Sequence, residues 1–257
     1  MKKLFDTHAH YTDERLRGNT SLLDSLFATD ISHILTVATN LADTEECIEL
    51  AAKYDGMYAS AGIHPHECGE AGNLDDAMAA LEQKLCAPKV VALGEIGLDY
   101  HYDFSDRETQ MRFFRAQMEL AAKKNIPVII HDREAHGDTM DVIREYKNRV
   151  IGILHSCSCS AEQVKEYVKM GWYISFSGVI TFKNAAKTLD SVLATPKDRI
   201  LVETDCPYLA PVPMRGKTNH SGYMHYTAEK AASLLQMDFE VFCEQEVNNA
   251  KALLGIK

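Results

Sequence analysis

Apolar and β-branched residues recur along the chain in short runs, at 4–8, 33–38, 57–63, 90–95, 127–131, 150–155, 172–177 and 199–204. Runs of this length predict buried strands. The longer stretches between them carry apolar residues at helical spacing. Ser105-x-x-Glu108 and Ser160-x-x-Gln163 have the capping-box spacing that starts a helix. The first predicts a helix running to about Lys124, ended by Asn125 and Pro127, and a last helix is expected from about Asp238 to Leu254. Eight strand–helix units, spaced about 22–37 residues apart, predict an α/β chain of the (β/α)8 TIM-barrel type. An open, doubly wound sheet shows the same alternation. The count of eight and the polar residues at so many strand ends favour the barrel. No linker, low-complexity segment or shift in composition marks a second domain, so residues 1–257 read as one barrel domain.

Composition narrows the class. A length of 257 residues suits such a barrel, which commonly runs to about 250. Hydrophobic residues make up 46% and charged residues 25%, which places the chain among soluble globular proteins. No apolar run approaches the roughly 20 residues that span a membrane. Met1-Lys2-Lys3 has the basic start of a signal peptide but no apolar core follows, so a cytoplasmic location is expected. The seven scattered cysteines read as free thiols of a reducing compartment. A formal charge of −10 argues against a broad duplex-binding surface. It leaves room for a nucleic acid end or a small phosphoester entering a local cationic mouth. The sequence calls for no membrane and for no obligate protein partner.

Barrel chemistry sits at the C-terminal strand ends. Read in order, those ends carry His8 and His10, then His64 and His66, Glu95, His131, His155 and Asp205. Six of the eleven histidines fall at such places. Residues two apart on a strand share a face, so His8 and His10 can grip one ion. Four imidazoles (His8, His10, His131, His155) and two carboxylates (Glu95, Asp205) are what a two-metal centre requires. That donor set suits zinc, manganese, iron or cobalt, and magnesium less well. Two cations need an anionic bridge, and Glu95 is placed to supply it. Asp205 is the candidate for both ligand and general base. With six better donors present, His64 and His66 are expected at the substrate or behind the ligands. His33 is expected ahead of its strand, in a structural role. Cys157-x-Cys159 and Cys206 are taken as loop and buried thiols, because two cysteines without a second pair make a weak zinc signal.

Arg133, Lys183, Arg215 and Lys217 add cations near the strand ends. Arginine suits bidentate phosphate binding. The loop 207–219, stiffened by Pro207, Pro211 and Pro213, carries two of these cations. Arg133 and Arg215 are therefore the expected anion contacts, beside His64.

These motifs, in this order, resemble the TatD family of metal-dependent hydrolases. The carriers are Phe5-Asp6-Thr7-His8-Ala9-His10, Gly62-Ile63-His64-Pro65-His66 and Gly94-Glu95-Ile96-Gly97-Leu98-Asp99-Tyr100, then His131-Asp132-Arg133-Glu134-Ala135, the stretch 175–185, Glu203-Thr204-Asp205-Cys206-Pro207-Tyr208-Leu209, and Pro213-Met214-Arg215-Gly216-Lys217. The resemblance covers essentially the whole chain. It implies an amidohydrolase-type barrel, two divalent ions (Mg, Mn or Zn) and hydrolysis of ester bonds. Activity of deoxyribonuclease type is implied, from the 3′ end of DNA. By position it implies that His8, His10, Glu95 and Asp205 hold one ion, and Glu95, His131 and His155 the other. One departure stands out. The family's Cys-Phe-Ser-Gly after the strand-six histidine is replaced by Ser156-Cys157-Ser158-Cys159, which alters one wall of the pocket. The rival readings are a barrel hydrolase of a small ester, amide or lactone, and a catalytically silent metal-binding scaffold. DNA single strands or ends, or a small phosphoester, are the expected substrates.

Overall fold

A computed structural model describes residues 3–257. Strands β1 (Leu4–Ala9), β2 (Ile31–Thr36), β3 (Met57–Ala61), β4 (Val90–Asp99), β5 (Val128–Arg133), β6 (Gly152–Leu154), β7 (Tyr173–Phe176) and β8 (Ile200–Val202) alternate with helices. The helices are α1 (Thr20–Ala28), α2 (Leu41–Ala51), α3 (Leu74–Lys84), α4 (Arg107–Lys124), α5 (His136–Glu145), α6 (Ala161–Lys169) and α7 (Ala186–Ala194), with α8 (Met224–Leu234) and α9 (Phe239–Leu254) after β8. The strands lie in one eight-stranded sheet in chain order. β8 returns to β1 through a parallel bridge between Ala9 and Cys206. This is the (β/α)8 barrel, as the alternation predicts.

The chain divides into two compact units, Val37–His155 and the chain up to Thr36 joined to Ser156–Lys257. In the first, β4 pairs with β5 from Leu93↔Val128 to Asp99↔Arg133. β4 therefore runs to Asp99, four residues beyond the end of its apolar run. Gly97 makes this possible. It sits at φ +139°, and a Cβ there would lie 2.0 Å from the His131 carbonyl oxygen. Only glycine lets the two backbones approach so closely.

α4 locks the strand ends of this unit through two buried amides. Gln117 accepts from the Ile63 N–H at 2.8 Å and donates to the Ile63 carbonyl at 3.0 Å. Gln110 accepts from the Asp99 N–H at 2.8 Å and donates to the carbonyls of Asp99 and Ser105 at 3.0 and 2.8 Å. A buried amide that satisfies both halves of a peptide fixes it in place.

Two local expectations are corrected. The N-cap of α4 is Asp106, whose side chain accepts from the Thr109 N–H at 2.9 Å. The Ser105 hydroxyl instead donates to the His66 carbonyl at 2.9 Å. With the Ser105 hydroxyl committed to that carbonyl, Asp106, an equally good capping residue, takes the helix N-terminus. The capping box at Ser160 and Gln163 is present as expected, and Asn125 ends α4 in a left-handed conformation. His33 lies inside β2 and not ahead of it, with its ring stacked on Phe5 at a centroid distance of 5.0 Å. Its β2 backbone pairs with Phe5, so the register carries the imidazole onto the strand.

In the second unit, Asp238 caps the start of α9, and Gly255 in a left-handed conformation ends it. From its buried face Glu246 accepts the Phe5 N–H at 3.1 Å. Burial pushes that carboxyl well above the usual carboxylate range.

Candidate metal centre

In the unit that holds β1 and β8, three donor atoms converge. His8 Nε2 lies 3.1 Å from His10 Nε2, and Asp205 Oδ1 lies 3.4 Å from His10 Nε2 and 3.9 Å from His8 Nε2. Local bonding sets this up. The Asp205 N–H donates to the His8 carbonyl at 2.9 Å, and the His10 N–H to the Cys206 carbonyl at 2.7 Å. Behind them buried Asp6 accepts from Thr204 Oγ1 at 2.6 Å, Ser221 Oγ at 2.7 Å and the Thr204 N–H at 3.0 Å. Burial outweighs these bonds and raises Asp6 to about 6. Nitrogens at about 2.0–2.1 Å from a tetrahedral zinc lie roughly 3.3 Å from one another. The imidazole pair at 3.1 Å fits that spacing.

In the unit Val37–His155, Glu95 is the hub. Its Oε1 lies 2.7 Å from His131 Nδ1, 3.3 Å from His155 Nε2 and 3.6 Å from His64 Nε2. His131 turns its other nitrogen, Nε2, to Asp99 Oδ2 at 3.0 Å, and His66 Nε2 reaches the same oxygen at 2.8 Å. Burial opposes charge on His131, but the two carboxylates prevail and push it up to about 9. The same bonds hold Asp99 far below the carboxylate range against the opposing effect of burial. His64 is pulled down to about 4, chiefly by burial. The two carboxylates thus favour a proton on His131, and a metal held there would take the place of the proton on Nδ1. Imidazole and carboxylate oxygen, with no thiol, form a donor set that suits zinc or manganese better than magnesium.

Each unit therefore gathers its own share of the expected ligands. His8, His10 and Asp205 meet in one. In the other Glu95 lies against His131, His155 and His64, and His64, Glu95 and His131 offer three donor atoms within 4.8 Å of one another. Asp99 received no role from the sequence, although it stands four residues beyond Glu95 on one strand and so on the same face. Of the expected cations, Arg133 lies over the Tyr102 ring at 4.6 Å and Arg215 over the Phe182 ring at 3.9 Å. Lys183, Arg215 and Lys217 are exposed. The loop 207–219 is pinned by Asn219, whose Nδ2 donates to the carbonyls of Thr204 and Tyr208 at 2.9 and 2.7 Å. Cys157, Cys159 and Cys206 are buried. At the departure, the Ser156 N–H donates to Glu203 Oε1 at 2.8 Å and its hydroxyl meets Ser177 Oγ at 3.0 Å.

Imidazole–carboxylate clusters at the C-terminal strand ends of a (β/α)8 barrel define a metal-dependent hydrolase. Comparison with known proteins agrees. A family model described as TatD-related DNase matches residues 5–255, and the chain belongs to the TatD family. It is 39% identical over 255 residues to the metal-dependent hydrolase YabD of Bacillus subtilis (strain 168), covering 98% of this chain and 99% of that one. It is 29% identical over 260 residues to the 3′-5′ ssDNA/RNA exonuclease TatD of Escherichia fergusonii, covering 98% of this chain and 99% of the relative. Among solved structures, YJJV, a TatD homologue from Escherichia coli K12, superposes with a TM-score of 0.93 at 27% identity, covering 100% of this chain and 99% of that one.

Proposed function

We propose that this chain is a phosphoester hydrolase of deoxyribonuclease type that removes nucleotides from the 3′ end of single-stranded DNA with a two-metal centre. The observation that carries the reading is the pair of donor clusters, His8–His10–Asp205 and the imidazoles of His131, His155 and His64 gathered on Glu95. A relative across the full length is named a 3′-5′ ssDNA/RNA exonuclease, which supports the substrate class.

In this reading residues 1–257 act as one barrel domain in the cytoplasm. His8, His10, Glu95 and Asp205 hold one divalent ion, and Glu95, His131 and His155 the other, with Mg, Mn or Zn as the candidates. Bound ions supply an acidified water and positive charge against the phosphoryl oxygens. Asp205 takes the proton from the attacking water as general base. Glu95 would contribute its carboxylate to holding both ions. Arg133 and Arg215 bind phosphate, and His64 contacts substrate from beside Glu95.

The test is a 5′-labelled single-stranded oligonucleotide set against a simple carboxylic ester, with Mg, Mn or Zn added to chelated protein. The expected result is stepwise shortening of the strand that needs added metal. Metal-dependent turnover of the ester with an intact strand would replace this reading with the small-ester one. Bound metal with no turnover of either would leave the scaffold reading.

A further inference from the structure

Beyond Asp99 the chain leaves β4 as the loop 100–106, and two aromatic side chains of that loop stand in the open. Tyr102 is 48% exposed and Phe104 70%, the latter the highest of any large hydrophobic side chain among the described residues. Leaving such rings in water forgoes burial free energy. The rings are ordered against one another nonetheless, with planes 7° apart and centroids 5.3 Å apart. The Arg133 guanidinium lies over the Tyr102 ring at 4.6 Å. The loop that carries the pair is tied down. Asp99 Oδ1 accepts the N–H groups of His101 and Tyr102, each at 2.9 Å, and Gln110 holds the Ser105 carbonyl at 2.8 Å.

The pair also borders the Glu95 cluster. The His66 ring meets Tyr102 and Phe104 edge-on at 5.6 and 4.8 Å, and bonds to the Asp99 oxygen shared with His131. A preformed flat aromatic surface beside a phosphoester site suits a flat aromatic ligand. Around it stand exposed polar groups, including His101, Asp103 and Arg107, so no broad apolar patch is present for a protein partner. A chain of net charge −10 holds a phosphate backbone weakly, and stacking adds affinity without charge.

We propose that Tyr102 and Phe104 form a stacking platform for an unpaired nucleobase of a single-stranded nucleic acid seated at the Glu95 cluster. The proposal rests on the phosphoester reading and names what holds the strand there. Every base has a π-face, so the platform is tolerant of sequence. Bases inside a duplex are already stacked on their neighbours, so the platform favours single strands. Arg133, over Tyr102, then stands where the adjoining phosphate passes.

The test uses the metal-loaded full chain and a short phosphorothioate oligonucleotide that resists cleavage, with 2-aminopurine near its 3′ end. Stacking quenches 2-aminopurine fluorescence. The expected result is saturable quenching by the single strand and none by a blunt duplex of the same sequence. Phe104→Ser should weaken binding about tenfold, and Phe104→Trp should restore it. An abasic residue in place of 2-aminopurine should weaken binding to the parent about tenfold, while Phe104→Ser should no longer distinguish the two strands. Absence of quenching by the parent overturns the proposal. So does an equal loss of affinity for base-bearing and abasic strands in Phe104→Ser. If a free deoxynucleoside monophosphate competes as well as the strand, the platform serves mononucleotides and the strand assignment falls. Quenching without metal-dependent shortening of a cleavable strand retains the platform and removes the phosphoester reading; shortening without quenching does the reverse.

Discussion

Asp99 Oδ2 stands 3.0 Å from Nε2 of His131 and thereby turns the other nitrogen, Nδ1, toward Glu95 at 2.7 Å. A carboxylate that accepts from one imidazole nitrogen fixes the ring's orientation and would leave Nδ1, which here faces Glu95, as the nitrogen for a metal. Asp99 is thus a positioning residue for the Glu95 cluster. Asp99→Asn keeps the size of the side chain and weakens that hold. Metal affinity should fall about 10–100-fold by isothermal titration, the usual cost of losing such a partner. A parent-like thermal melt together with parent-like metal affinity would remove Asp99 from the metal site.

Glu95 lies within reach of three imidazoles, so its charge should decide occupancy. Glu95→Gln should lower bound metal by elemental analysis and strongly reduce turnover. Chelation of the parent should abolish activity, and added Mg, Mn or Zn should recover it. Chelator-resistant turnover would defeat the metal-dependent mechanism.

Asp205 and Glu203 are two residues apart but sit differently. Asp205 faces His10 at 3.4 Å, whereas Glu203 is fully buried and accepts the Ser156 N–H at 2.8 Å. Asp205→Asn should cut kcat by about 10²–10⁴, as loss of a general base does. Glu203→Gln, which still offers an oxygen to Ser156, should lose much less. Side-by-side kinetics decide, and a dead Glu203→Gln with a normal Asp205→Asn would reverse the roles.

Arg133 is the cation nearest the aromatic pair. Arg133→Ala should raise KM for a single-stranded oligonucleotide by about tenfold or more, the scale of one charged hydrogen bond. Metal content should stay at the parent level. An unchanged KM would take Arg133 out of substrate binding.

His33 carries a pH prediction away from the metal clusters. Burial, then the charges of Lys251 and Lys3, lowers its pKa from 6.5 to about 4. The unfolded chain therefore binds a proton that the folded chain refuses between those values. The stability that neutral His33 brings is present above pH 6.5 and is lost as pH falls from there toward 4. His33→Gln should flatten the difference between urea midpoints at pH 7 and pH 5. The effect is small, because the ring is only half buried. A steeper difference in the variant would contradict the assignment.

Much of this molecule was legible along one dimension. Strand and helix order follows from apolar periodicity, and the helix ends at Ser160, Asn125 and Asp238 follow from residues whose local chemistry acts over three or four positions. The candidate ligands are legible for the same reason, since a barrel collects its chemistry at strand ends and each ligand marks one. The choice between Ser105 and Asp106 as cap was not, because it turns on where the Ser105 hydroxyl finds a distant carbonyl, that of His66.

Tertiary structure alone decided the rest. Gln110 and Gln117 read as ordinary helix residues until α4 lies against β3 and β4 and their amides replace missing backbone partners. His66 and His131 are far apart in sequence and share one oxygen of Asp99 only because β4 runs on past its apolar stretch. Tyr102 and Phe104 look like core residues by type, and packing leaves them in solvent. Periodicity is a local property fixed by backbone geometry, whereas hydrogen-bond partners and exposure depend on which distant surfaces meet. The sequence by itself therefore determined the barrel and marked the candidate ligands, and only the folded chain determined how those side chains are aimed and what stands exposed beside them.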